Sequence, residues 1–431
     1  MPPVSLPELP KDKEFEEFVA AYFNASGYFV ERNIEDRAEE NVLELDVITT
    51  DYDDTPPTLR LIEAKSGGWG FPDIFKVRGW MDYLRMSDSL LVVQESKDHI
   101  DFVKRKAGSL DIGIAVTETV EETPQALSEF IESDQVSSVD IAMWRFSYWI
   151  ERNMIERLRH KKKSQKDRRC YSELLDYYFQ VNSGVFMTEN IAERIETLYD
   201  AYKAHPHISA KCCGEQAGGD FDDDWSDVPR DVFGQTYYDC DYTDVQMSSF
   251  IEHRARLALL KTAVDYKLYE RAGVNERIEA YFRIMNYEFP LYDLLPTSFT
   301  RGLDEIADHR YFHRYPVFWQ WFLWVFGGFI LLDYEEQEYE LLSRKTGVPV
   351  DEIPNALHVY DILFPNPGGW FVQFDARTMN VRLLKMFSVP FMGLGANYRR
   401  FAYTGSNEFA GLVVTGQYTA ANLGKWNNLG V

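Results

Sequence analysis

The chain has 431 residues, 45% of them hydrophobic and 26% charged, a balance typical of globular proteins and too apolar for a disordered chain. Its 69 acidic and 45 basic side chains give a formal net charge of −24, which excludes a protein coated with positive charge for nucleic-acid binding. Four cysteines in this length argue against a disulfide scaffold and favour a reducing, cytoplasmic setting.

The length favours two or three domains, which we place at residues 1–122, 123–290 and 291–431. The pattern of residues in the first domain predicts a compact α/β unit. Its first helix has an apolar stripe at helical spacing from Phe15 to Phe23, and Gly27 stands where a C-terminal cap is expected. Strands are predicted at YFVERN, NVLELDVITT and LRLIEAK, followed by the helix PDIFKVRGWMDYLRM, the strand SDSLLVVQES, the helix DHIDFVKRKAG and the strand DIGIAVTE.

Side chains of the second predicted strand are expected to alternate between the two faces of the sheet. The buried set is Leu43, Leu45 and Val47, and the exposed set is Glu44, Asp46 and Ile48. On the next strand, the period of two places Glu63 and Lys65 on one face. Asp46 and this second pair are therefore expected on adjacent strands near the middle of the sheet.

Five motifs in this order resemble a known family: FEEF in the first helix, Gly27-Tyr28, LELD ending at Asp46, IEAK and SLLVV. The stretch from residue 11 to 118 resembles the PD-(D/E)XK nuclease superfamily, and within it the Mrr-like restriction endonuclease branch. It covers about a quarter of the chain, and the ordered context carries it, since an E-x-K triplet alone is common. The resemblance implies a restriction-endonuclease-like fold, with a central mixed sheet flanked by helices.

The resemblance also implies a metal-dependent phosphodiesterase site. Asp46 and Glu63 would hold Mg²⁺, or alternatively Mn²⁺, with the backbone carbonyl of Ala64 as a third oxygen ligand. Lys65 would orient the attacking water or stabilise the negative charge that develops on the phosphate.

An acid from the first helix completes the site that the resemblance implies. Glu16 fits best, and Glu14 and Glu17 are alternatives within one helical turn. Glu44 either joins the acidic cluster or faces solvent. Gln94 is interpreted as a hydrogen-bonded residue at a strand end rather than as part of the site.

Basic side chains that could contact phosphates occur in two places. Lys76 and Arg78 follow the Gly-rich loop 66–70. The second place, at 157–169, is the most basic block in the sequence, and it either binds phosphates or forms a solvated helix end. Its members are Arg157, Arg159, Lys161, Lys162, Lys163, Lys166, Arg168 and Arg169.

Beyond residue 122, periodicity predicts a larger, mainly α-helical domain with a small β-containing C-terminal part. An acidic insert at 215–244 interrupts it, and we favour a mobile loop over a calcium site there because Trp225 stands where a calcium loop needs Gly. The calcium positions would be Asp220, Asp222, Asp224 and Asp231. A zinc site is left open although the spacing is atypical, and its ligands would be His205, His207, Cys212, Cys213 and Cys240.

The most apolar segment is VFWQWFLWVFGGFILL, residues 317–332. Sixteen residues of helix span about 24 Å, short of a hydrocarbon core of about 30 Å, so we predict a buried core helix and no membrane association. Further on, the alternating run WFVQFDARTMNVRLLKMF predicts a β-hairpin.

The resemblance implies a Mg²⁺-dependent endonuclease, with DNA as substrate, defence against foreign nucleic acid as the setting and a homodimer or higher oligomer as the assembly. The C-terminal part would serve recognition, oligomerisation or regulation. One alternative is a nuclease effector that a ligand or regulatory protein activates, which the acidic body favours over a constitutive DNA binder. The other is a non-catalytic scaffold with a degenerate fold, against which the complete set of Asp46, Glu63 and Lys65 speaks.

Overall fold

A computed structural model describes the parts of the chain on which the following account rests. They are residues 6–36, 43–131, 136–164, 242–272, 297–331 and 334–363, with short pieces at 175, 178–179, 372–376, 379–383, 389–391, 393–395, 398–399 and 402. The suggested calcium and zinc ligands lie outside the described residues, and so do Lys166, Arg168 and Arg169.

The N-terminal region contains a five-stranded mixed sheet flanked by helices. The strands are β1 (Phe29–Asp36), β2 (Leu43–Asp51), β3 (Thr58–Lys65), β4 (Asp88–Val93) and β5 (Ile112–Val116). They lie side by side in chain order; β1, β2 and β3 pair antiparallel, and β3, β4 and β5 pair parallel. The helices are α1 (Lys13–Ala25), α2 (Phe71–Leu84) and α3 (Ile100–Gly108). This order of elements confirms the prediction from the sequence.

Each face of the sheet packs into a separate hydrophobic core. On β4, Leu90 and Val92 join the core that contains α1, whereas Leu91 and Val93 join the core under α2 and α3. Strand side chains alternate between faces, so an uninterrupted apolar run is what a strand covered on both sides requires. Strand β3, which carries the predicted site, is the central strand.

The predicted alternation along β2 is wrong at one point. Leu45 packs under α2 and α3, but Val47 packs on the α1 side, and Ile48 is buried rather than exposed. Asp46 lies at the switch. Opposite it on β1, Asn33 has a φ of 51° and is skipped in the strand pairing. A left-handed residue here breaks the regular pleat, so the sequence period cannot run through Asp46.

Helices predominate in the described residues after β5. They are α4 (Thr123–Leu127), α5 (Ser138–Ser164), α6 (Tyr242–Ala272), α7 (Thr297–Ala307), α8 (Tyr315–Trp324), α9 (Glu335–Thr346) and α10 (Ile353–Leu363). A three-stranded antiparallel sheet accompanies them, formed by β6 (Phe329–Leu331), β7 (Val372–Ala376) and β8 (Met379–Leu383) in the order β6, β8, β7. The pairing of β7 with β8 confirms the predicted hairpin.

The described part of the apolar segment, residues 317–331, is buried, but it is not one helix. Helix α8 ends at Trp324, and Gly327 and Gly328 follow with φ values of 74° and 72° before β6 begins. Glycine adopts this left-handed conformation without steric cost, and the pair turns the chain back toward the sheet. No helix in the described ranges combines the length and the apolar character needed to cross a bilayer.

Gln320 is the polar residue inside this apolar segment, and its side chain reaches the first sheet. The amide accepts a hydrogen bond from the Val30 backbone N–H at 3.1 Å and donates one to the Val30 carbonyl at 2.6 Å. The same amide oxygen accepts a bond from Asn24 of α1 at 2.8 Å. Buried polar groups need such partners, so this amide fixes α8 against both β1 and α1.

Candidate active site

The candidate site forms where β2 and β3 separate. Their backbone pairing ends at Val47 and Ile62. One step further, the Oδ2 atom of Asp46 accepts a hydrogen bond from the Ala64 backbone N–H at 2.9 Å. A carboxylate thus takes the place of a ladder hydrogen bond, and it holds Asp46 beside the end of β3.

Glu63 is the centre of the site, since its side chain is only 1% exposed yet carries an ionisable group. Its Oε1 atom lies 2.7 Å from Lys65 Nζ and 2.7 Å from Lys76 Nζ. Its Oε2 atom is buried and has no hydrogen-bond partner among the described residues. A buried carboxylate oxygen without a partner is costly, so this atom marks a place that favours a positive ligand.

The electrostatics of Asp46 also favour a cation. The pKa of Asp46 is raised to about 8: burial and the negative charges of Glu63 and Glu16 raise it, while the hydrogen bond from the Ala64 N–H and the charge of Lys65 oppose the shift. The pKa of Glu16 is raised by burial as well, although Arg32 and the lysines oppose the shift. Carboxylates that repel one another in a desolvated site ionise readily only when a counter-charge is supplied.

Lys65 stays protonated in this setting. Burial acts against its charge, but the hydrogen bond and attraction from Glu63, together with Asp46, raise the pKa of its ammonium group. Because Lys65 and Glu63 share one face of β3, a single strand supplies both a carboxylate and a permanent positive charge.

The structure separates the three acids of α1. Glu16 senses the charges of Lys65 and Glu63, and Asp46 in turn senses Glu16, so this acid faces the site. Arg152 of α5 instead binds Glu14 at 3.0 Å and Glu17 at 3.3 Å. Glu14 and Glu17 therefore serve the contact between α1 and α5, and Glu16 is the α1 acid whose pKa responds to the charges of Glu63 and Lys65.

The residues present fit a divalent cation. Asp46 and Glu63 offer carboxylate oxygens, one of which is buried and has no partner in the described part of the chain, and the Ala64 carbonyl follows Glu63 directly. Within the described ranges, no group of three or more His, Cys, Asp and Glu side chains forms a ligand set. Any metal held here would thus rely on backbone carbonyl and water oxygens besides these two carboxylates, as Mg²⁺ commonly does.

The other predicted residues have different surroundings. Glu44 is exposed on β2, and Gln94 donates a hydrogen bond to the Pro10 carbonyl at 2.7 Å, the bonded role expected for it. Arg78 binds Asp82 at 2.5 Å and Asp111 at 3.3 Å on the protein surface. In the basic block, Lys162 and Lys163 are exposed near the end of α5, which also contains the backbone of Lys161.

The sequence predicts that Lys76 lies on a helix where it could meet phosphate, but it does not predict the contact with Glu63. The feature that indicates this contact is the short connection of five residues, 66–70, between β3 and α2. A crossover this short forces the first turns of α2 to lie over the end of β3, where Glu63 is buried. The structure therefore adds a second lysine to the site.

Arg32 links the site to the helical part of the chain. This buried residue of β1 binds Glu151 of α5 at 2.6 Å and approaches Glu17 at 4.0 Å, and its guanidinium lies 4.1 Å from the ring centre of Tyr148. Its positive charge also opposes the rise in the pKa of Glu16 that burial causes. A single cation thus neutralises acids on α1 and α5 at once.

Glu17 is expected to make the stability of the protein pH-dependent, because burial raises the pKa of its carboxyl to about 7. In the unfolded chain this carboxyl has its ordinary pKa near 4.5, so ionisation favours the unfolded state increasingly from about pH 4.5 to pH 7. Glu17→Gln should therefore melt close to wild type at pH 5 and above it at pH 8, as followed by circular dichroism. Glu14→Gln, which loses a more exposed carboxyl on the same arginine, is the control. A Glu17→Gln difference that is constant with pH would contradict the assignment.

No protein-family model, curated protein or solved structure shows significant similarity to this chain. The nuclease resemblance therefore rests on the motifs and their order, and the function rests on the chemistry of the site.

Proposed function

We propose that this protein is a Mg²⁺-dependent nuclease with its active site at Asp46, Glu63 and Lys65. The observation that supports it best is the arrangement around Glu63, where one oxygen contacts two ammonium groups and the other is buried with no hydrogen-bond partner in the described ranges. A structural ion pair usually satisfies both carboxylate oxygens, because burying one without a partner is costly.

The chain's own groups have distinct roles in this proposal. Asp46 and Glu63 hold the cation, and the Ala64 N–H fixes the Asp46 carboxylate in place. Mg²⁺, when bound, supplies positive charge beside the scissile phosphate and acidifies coordinated water. Lys65 places an ammonium next to the same phosphate, where it orients the attacking water or stabilises developing negative charge. Glu16 adds a carboxylate on the α1 side of the site.

Substrate and setting follow from the resemblance. We propose DNA as the natural substrate and defence against foreign nucleic acid as the role, in the cytoplasm and in a homodimeric or larger assembly. The region after residue 122, which we propose to be a mainly helical domain with a small β-containing part, would recognise the target or regulate cleavage. The net charge of −24 opposes tight binding outside a local or metal-bridged path.

One observation favours a gated form of this nuclease. The core around α1 is continuous with residues of α5, α6 and α8, and Arg32 joins α1 to Glu151 of α5. A ligand or regulatory protein that shifts these helices would move Glu16 relative to Asp46. In that case the isolated protein would be silent and would gain activity with its activator.

The proposal is tested by incubating purified full-length protein with supercoiled plasmid, single-stranded circular DNA and RNA, with Mg²⁺ or with a chelator. We expect Mg²⁺-dependent cleavage by the wild type and a loss of about 100-fold or more in Asp46→Asn. Glu44→Gln removes an exposed carboxylate two residues away on the same strand and should cleave like wild type. Equal cleavage by the wild type and Asp46→Asn would rule out the site.

A further inference from the structure

Two phenylalanines break the amphipathic pattern of the helices that cover one face of the sheet. Helix α2 buries Ile74, Val77 and Met81, yet Phe75 on its outer side is 62% exposed. Helix α3 buries Val103 and Ala107, yet its Phe102 is 43% exposed. Core packing does not account for aromatic side chains at these positions, because their rings face solvent.

Phe71 joins the two exposed rings into one surface. Its ring centre lies 6.4 Å from that of Phe75, and 6.5 Å from that of Phe102, in a tilted and an edge-on arrangement respectively. We call these three residues the aromatic patch. A contiguous exposed apolar surface of this kind is typical of an interaction site, whereas single exposed apolar residues are ordinary.

Basic side chains lie on the α3 side of the aromatic patch. Lys106 lies 5.7 Å from the ring centre of Phe102, and Lys97 lies 4.9 Å from the ring of Trp69 in the loop before α2. Lys104 and Arg105 are exposed on α3. Helix α3 carries three bases against one acid, in a protein whose net charge is −24. The net charge of α3 is thus opposite in sign to that of the whole molecule, which suits an anionic partner.

The aromatic patch also lies next to the candidate active site. Phe75 precedes Lys76, whose ammonium lies 2.7 Å from Glu63. Phe71 begins α2 immediately after the loop that leaves β3 at Lys65. A strand bound across the aromatic patch is therefore close to the residues that would cut it.

We propose that the aromatic patch stacks the unpaired bases of a nucleic-acid strand, so that the substrate class of this nuclease is single-stranded nucleic acid. Bases present their flat faces only when they are unpaired, and exposed rings interleaved with Lys and Arg hold such strands without reading sequence. In a duplex the bases stack on one another, and the phosphates outside gain nothing from phenylalanine rings. This inference rests on the proposed function for the cutting step and on the aromatic patch for the choice of substrate.

The test measures binding without cleavage. Fluorescence anisotropy of full-length protein in a chelator compares a labelled single-stranded DNA, the same strand annealed into a duplex, and a single-stranded RNA of matching sequence. The test variant is Phe75→Ala with Phe102→Ala. The control is Tyr83→Ala, which removes an exposed aromatic ring eight residues after Phe75 on α2, about 12 Å further along the helix axis.

We expect the wild type to bind single strands more tightly than the duplex, and the double variant to lose about tenfold or more in single-strand affinity. Duplex affinity, and all affinities of Tyr83→Ala, should stay within about twofold of wild type. Comparing the affinities for single-stranded DNA and single-stranded RNA then shows which of the two the protein prefers. Melting curves confirm that the surface substitutions leave the fold intact.

Three results would overturn the inference: wild-type single-strand affinity in the double variant, an equal loss for single strands and duplex, or no nucleic-acid binding by the wild type. If the double variant instead changes sedimentation from dimer to monomer while its binding is unchanged, the aromatic patch is a contact between copies of the chain. The expected binding pattern without any Mg²⁺-dependent cleavage would refute the proposed nuclease activity and leave the stacking surface standing.

Discussion

Lys65→Met is expected to reduce Mg²⁺-dependent cleavage by about 100- to 1,000-fold, the range seen when one preorganised transition-state contact is removed. The methionine keeps the length and apolar stem of the side chain but removes the ammonium that lies 2.7 Å from Glu63 Oε1. Glu63 remains paired with Lys76, so the fold should persist and the loss should appear in kcat rather than in stability.

The same substitution should strengthen cation binding, which separates a chemical role from a structural one. Lys65 attracts the negative charge of both Glu63 and Asp46, and it repels any cation placed between them. Calorimetric titration with Mg²⁺ or Mn²⁺ should therefore show a lower Kd for Lys65→Met than for the wild type. Weaker metal binding together with weaker cleavage would mean that Lys65 only maintains the geometry of the site.

Lys76→Met is the informative companion, because Lys76 shares the same Glu63 oxygen but stands on α2. It should also tighten metal binding and should lower cleavage less than Lys65→Met does. Arg78→Met, two residues along on α2, removes a cation whose partners are surface acids and should change neither measurement.

Arg399→Met is expected to destabilise the protein by about 3–5 kcal/mol, the usual cost of leaving a buried charge without its partner. Both Arg399 and its partner Glu338 of α9 are fully buried. The guanidinium binds both oxygens of Glu338, and it also donates to the Phe326 carbonyl at 2.8 Å. These contacts fix the turn between α8 and β6.

Thermal or denaturant unfolding measures this effect, and two further variants locate its cause. Arg344→Met removes an exposed base from the same helix as Glu338 and should change stability by less than about 0.5 kcal/mol. Combining Arg399→Met with Glu338→Leu removes both charges and should recover part of the loss. If the double variant were as unstable as Arg399→Met, packing rather than the uncompensated Glu338 would explain the result.

The neighbourhood of Asp46, Glu63 and Lys65 could be predicted because it depends on local rules. Strand periodicity, turn residues and the order of elements bring β2 beside β3, and the side-chain alternation of β3 places Glu63 and Lys65 together. The same rules predicted a C-terminal cap at Gly27, which follows α1 with a φ of 94°, and the hairpin of β7 and β8. The structure confirms both.

Other features depend on tertiary contacts that no local pattern records. Helical periodicity does not say which of Glu14, Glu16 and Glu17 faces the end of β3, and Arg152 on α5 is what assigns Glu14 and Glu17 to the contact between helices. The pleat of β2 breaks at Asp46 because of the left-handed Asn33 on the neighbouring strand. The apolar run at 317–332 predicted one helix, and its division into α8 and β6 follows from two glycines whose positive φ the burial pattern alone could not reveal.

The side chain of Gln320 has a consequence for how copies of this protein can meet. In the part of the chain that the structure describes, β1 is the last strand on its side of the sheet, and such an edge offers N–H and C=O groups to any other extended chain. At Val30 the Gln320 amide satisfies both groups, as a neighbouring strand would. Sheet extension at Val30, near the start of this edge, is therefore blocked, which guards against edge-to-edge aggregation there. A second copy of this protein cannot add a strand to the sheet at Val30.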